Sequence, residues 1–130
     1  MTNKKFLYSA YQISKESKDL LKQFLINNHL PIYDNEFLHH CTIEFGNDTL
    51  DNSLIDKQEN IFVVGYCQSK EINCFIVKQN LSTNKFPHIT ISAKQGIKPY
   101  QSNVILDNEK HYYFNKPIEV KTIIKKYFAN

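Results

Sequence analysis

The chain has 130 residues, a formal net charge of +3 and 42% hydrophobic residues. That length suits one domain, residues 1–130, able to bury roughly two-thirds of its unfolded surface. The charge is too mild for long-duplex DNA binding, and no run nears the ~18 apolar residues of a membrane span.

The polar start, Met1-Thr2-Asn3-Lys4-Lys5, is unlike a secretory signal, so a cytoplasmic location is expected. Residues 5–13 alternate as a strand. Ser14 is suited to cap a helix over residues 15–27, whose Leu20, Leu21, Phe24 and Leu25 form one apolar stripe. Pro31 prevents the helix from continuing, and residues 30–37 read as a loop. A strand is expected over 38–45, ended by the turn residues Gly46-Asn47-Asp48. After a polar, irregular stretch, strands over 61–68 and 72–78 form a hairpin across Ser69-Lys70-Glu71. Another strand covers 87–93. Gly96 and Pro99 make 94–100 a loop, Ser102 is placed to cap a short helical turn over 103–106, and 118–128 reads as the last strand. One helix and about six strands make an α+β pattern.

Two of these strands carry the same triplet, His40-Cys41-Thr42 and His88-Ile89-Thr90, each followed by Ile. Alternation puts His40 and Thr42 on one face, with Cys41 and Ile43 on the other; His88 and Thr90 repeat the arrangement. Imidazoles exchange protons near neutral pH, and a Thr hydroxyl donates to a phosphate oxygen. Two such pairs in one groove supply an acid, a base and anion-binding hydroxyls. The other histidines read as structural: His39 lies on the face opposite His40, His29 at a helix end and His111 in a loop. Cys41, Cys67 and Cys74 form an odd set without a CxxC pair, which argues against a disulfide framework and a zinc site; reduced packing thiols are expected. No metal or other cofactor is expected.

The duplicated triplets resemble the signature of the two-histidine (2H) phosphoesterase superfamily. Tyr8-Ser9-Ala10, His39 to Gly46, Val64-Gly65-Tyr66, His88 to Ser92 and Gly96 to Asn103 are similar to its compact, RNA-repair-associated branch, nicknamed the Swiss-army-knife group. The likeness runs from about residue 6 to about residue 106, and the short spacing between triplets leaves no room for a large substrate-covering insertion. The resemblance implies a two-lobed 2H phosphoesterase-like fold, antiparallel sheets around a central groove, with the triplet strands central to each lobe. It also implies a metal-independent phosphodiesterase, with His40 and His88 as its acid–base pair, in an order the sequence leaves open, and Thr42 and Thr90 on the phosphate. Lys98, Ser102 and Asn103, in the Lys-Pro…Ser-Asn context, are candidates for substrate contact. So is Tyr8, an aromatic suited to stack a base; Tyr11, three positions on, faces the other way.

The expected substrate is an RNA end or a small nucleotide bearing a 2′,3′-cyclic phosphate or an internal phosphodiester. One alternative is a viral or phage-type hydrolase degrading cyclic or 2′,5′-linked nucleotide immune signals. The other is a non-catalytic nucleotide-binding module. Sequence leaves the oligomeric state open.

Overall fold

A computed structural model describes residues 4–129. Met1, Thr2 and Asn3 of the polar N-terminal stretch lie outside them, as does Asn130. The strands are β1 (Lys5–Ile13), β2 (Asn35–Glu36), β3 (His40–Phe45), β4 (Gln58–Gln68), β5 (Ile72–Lys78), β6 (His88–Ala93) and β7 (His111–Ala129). The helices are α1 (Lys15–Asn27) and α2 (Gln101–Asn108), with a 3₁₀ turn at Asn52–Leu54.

The strands run in the order β2-β6-β3-β1-β7-β4-β5, and β6 pairs with β5 as well as β3. Every pairing is antiparallel. Six strands therefore close on themselves into a barrel, with the two-residue β2 attached outside the ring. The expected α+β fold with two lobes around a groove is overturned by this closure. The two triplet strands are not centres of separate lobes; they are hydrogen-bonded neighbours in one wall.

Alternation builds the barrel interior. Tyr11 and Ile13 of β1, Cys41 and Ile43 of β3, Ile89 and Ile91 of β6, and Val120 and Ile124 of β7 are buried in one cluster. Helix α1 adds Leu21 and Leu25 to that cluster. Its first turn is capped as the sequence predicts, Ser14 Oγ accepting from the Ser17 N–H at 3.1 Å. Leu20 departs from the predicted stripe and is 53% exposed, because the buried line runs one residue further round the helix. At the other end His29 takes φ +54°, the left-handed position usually given to glycine.

Strand β5 is buried on both faces. Phe75 and Val77 face the interior, while Ile72, Cys74 and Ile76 form a second, outer cluster with Ile105 and Leu106 of α2. Three expectations shift here. Helix α2 starts earlier than predicted, at Gln101, with Tyr100 at its N-cap and no side-chain cap, so Ser102 is inside the helix and does not cap it. Strand β7 starts at His111, seven residues before the predicted Ile118. Its ladder with β4 jumps from Gly65↔Tyr113 to Val63↔Ile118, so residues 114–117 bow out and Pro117 forfeits no ladder bond. Asn35 and Glu36, expected in a loop, pair with Ala93 and Ser92. All three cysteines are free and buried. No helix among the described residues is long and apolar enough to cross a membrane.

Candidate active site

Strands β3 and β6 meet at a single paired position, Cys41↔Ile89. Both of those side chains point into the barrel core and are fully buried. Their flanking residues must point outward, and the antiparallel register sets His40 across from Thr90 and Thr42 across from His88. The two triplets are thus related by a local twofold at that bridge. All four side chains line one cavity of ≈ 370 Å³, within the size range of small-molecule sites.

A bulge completes the cavity. Along β1, Ala10 pairs with Thr42 but Ser9 pairs with Glu44, so one residue of β3 is skipped and the alternation inverts. Glu44 turns inward and is buried, while Phe45 joins the face of His40 and Thr42 and is 77% exposed at the cavity rim. Tyr8 lies against it, with ring centroids 6.4 Å apart. Tyr8 also packs on the His40 ring at 5.0 Å and stacks on Tyr127 at 4.5 Å. Tyr11, by contrast, is in the core. Asn84, Pro99, Tyr100 and Asn103 line the rest of the cavity.

The two histidines are held differently. His88 Nδ1 lies 2.9 Å from the Phe86 carbonyl oxygen. A carbonyl only accepts, so Nδ1 carries a proton and Nε2 of the neutral ring is left with a free lone pair. Burial lowers the His88 pKa, and the carbonyl bond opposes that shift. His40 is packed on an aromatic ring instead, and burial, reinforced by the charges of His39 and His88, pushes its pKa down to about 4. Both imidazoles are therefore neutral in the free protein at pH 7. Burial also raises the Tyr8 pKa, so its phenol stays protonated.

The secondary candidates separate. Asn103 lines the cavity with the triplets. Ser102 is fully buried behind it, its Oγ 2.9 Å from Thr90 Oγ1, so it reaches a ligand only through Thr90. Lys98 lies in a neighbouring groove with His39 and Gly96 that touches the first cavity at Pro99. Phe45, Asn84, Tyr100 and Tyr127 are missing from the sequence reading. For Phe45 a signal existed in its strand position, but parity alone sends it to the wrong face without the bulge. Asn84 sits in a loop and Tyr127 on a distant strand, where no pattern marks them, while Tyr100 falls within the Gly96 to Asn103 stretch but is not singled out there.

No protein-family model matches the chain, and no curated protein matches it.

Proposed function

We propose that this protein is a metal-independent phosphodiesterase acting on a 2′,3′-cyclic phosphate or internal phosphodiester of an RNA end or small nucleotide. The observation that carries the reading is the convergence of His40, Thr42, His88 and Thr90 on one cavity from two strands bridged at Cys41↔Ile89. In ring opening, neutral His40 takes a proton from water as the water oxygen bonds to phosphorus. The P–O bond to one ribose oxygen breaks, and that oxygen takes the Nε2 proton of His88. The Phe86 carbonyl favours this division of labour, because it stabilises a protonated His88. A bound phosphate supplies the negative charge that brings a proton onto one imidazole of the pair. Thr42 and Thr90 donate to the non-bridging oxygens as charge builds there. Thr90 can donate outward while accepting from Ser102, whose buried hydroxyl has this partner at 2.9 Å. Three buried free thiols suit a reducing, cytoplasmic setting.

Purified protein incubated with cyclic-phosphate RNA ends and cyclic oligonucleotides, with products weighed by mass spectrometry, tests the reading. Ring opening adds one water to the substrate, and the rate should survive excess EDTA. Unchanged substrates with retained binding would leave the non-catalytic nucleotide-binding module. Activity lost to the chelator and restored by one metal ion would overturn the two-histidine mechanism.

A further inference from the structure

A second cavity, of ≈ 340 Å³, shares Tyr8 and His40 with the first. The Tyr8–His40 stack is therefore a partition with a cavity on each side. The second space is lined by Gln12 of β1, Lys18 of α1, His39 and Tyr127 of β7. Lys18 is only half-exposed, and none of the ion pairs among the described residues involves it. Lys22, one turn along the same helix, is satisfied by Glu36 at 3.2 Å. Lys18 lines this space with no carboxylate paired to it among the described residues, which leaves its ammonium available to an anion held there. The charge of Lys18 also reaches His39, lowering its pKa in addition to the effect of burial. Beside this cationic corner the Tyr8 and Tyr127 rings stack at 4.5 Å, giving a flat aromatic wall to a sugar or base.

We propose that the second cavity is a subsite for a neighbouring nucleotide, with Lys18 on the phosphate next to the reacting one, so that the substrate has two or more linked nucleotides. This rests on the phosphodiesterase reading for its polarity, but it concerns residues outside the two triplets. A linear RNA end and a cyclic dinucleotide share the required chemistry, two phosphates bridged by a nucleoside.

Binding tests it without requiring turnover. The probes are a fluorescent RNA pentanucleotide with a 3′-phosphate, a cyclic dinucleotide and a mononucleoside 3′-phosphate, each measured against wild type, Lys18→Ala and Lys18→Arg. Lys18→Ala should weaken the pentanucleotide, the dinucleotide or both by about fivefold or more, and the mononucleotide by less than about twofold; Lys18→Arg should restore most of the loss. The salt dependence of the affected ligand should flatten by about 0.7 in log–log slope, the share of one phosphate on a single strand. Whichever longer ligand responds identifies the source. Equal losses for long and short ligands, no loss for any, or no oligonucleotide binding by wild type would overturn the subsite. Turnover of the pentanucleotide carrying a 2′,3′-cyclic phosphate, and of the cyclic dinucleotide, is scored separately. Its absence alongside Lys18-dependent binding would refute the catalytic reading and leave the subsite standing.

Discussion

His40 and His88 have unequal surroundings, and that inequality shapes how each substitution should read out. His40→Ala or His88→Ala should each lower kcat by about 100-fold or more, and the double variant should be little worse than either, because an acid and a base act as one unit. Steady-state kinetics on protein with an unaltered circular dichroism spectrum checks this; a fully active single variant refutes it. The pH profile follows from the same burial. For the proposed ring opening, the working form of the free protein has His40 neutral and His88 protonated. Since His40 titrates at about 4 and His88 below its usual 6.5, the bell in kcat/KM should lie on the acid side of 6.5. Its limbs belong to the coupled pair. Bound phosphate should move the kcat bell upward, and a kcat/KM optimum above pH 8 would contradict the assignment. Ser102→Ala removes the partner of Thr90, one neutral hydrogen bond worth about 0.5–1.5 kcal/mol, so kcat should fall by roughly 2- to 12-fold with KM little changed. A rise in KM with kcat intact would mean that Ser102 serves ground-state binding instead.

Among the elements, the triplet strands and α1 were legible in the sequence because each carries its own periodicity: Ile89 and Ile91 alternate with His88 and Thr90, and Ser14 precedes a helix with Leu21 and Leu25 one turn apart. What joins them was not. Nothing local in β6 says that it pairs with both β3 and β5, and the two-lobed expectation came from resemblance, not from any pairing signal. The start of β7 was hidden by Pro117, which reads as a strand breaker until the bulge at 114–117 accounts for it. The bulge in β3 was equally silent, and with it the exposure of Phe45. The β4–β7 contact offers a direct test. A Cβ on Gly65 would sit 2.8 Å from the Tyr112 carbonyl oxygen, a backbone atom that cannot swing aside, and 3.1 Å from the Tyr113 ring. Gly65→Ala should therefore destabilise the protein by about 1–3 kcal/mol, read as a lower denaturation midpoint with an unchanged slope. An unchanged midpoint would show that β7 yields at no cost.

Across the whole molecule, burying neutral imidazoles ties stability to pH. The unfolded chain takes up protons near 6.5, while folded His40 does so only near 4, so the unfolded state binds more protons between those values. The stabilisation from neutral His40 is complete above about 6.5, is lost as pH falls toward about 4, and levels off below. His88, shifted the same way, adds to the loss. Melting curves from pH 7 to pH 4.5 should show wild type losing more than His40→Phe, which keeps a ring against Tyr8; parallel losses would refute the linkage. The barrel closure has a further consequence, for the order of folding. Hairpins such as β4–β5 can form early, since their partners are close in sequence, whereas the β3–β6 seam joins segments farther apart through one ladder pair, Cys41↔Ile89, and the Leu38 and Phe37 N–H groups donating to the Thr90 and Ile91 carbonyls. His40 and His88 sit on either side of that seam. A chain that has collapsed but not yet zipped shut carries both histidines and lacks the arrangement that would let them act together.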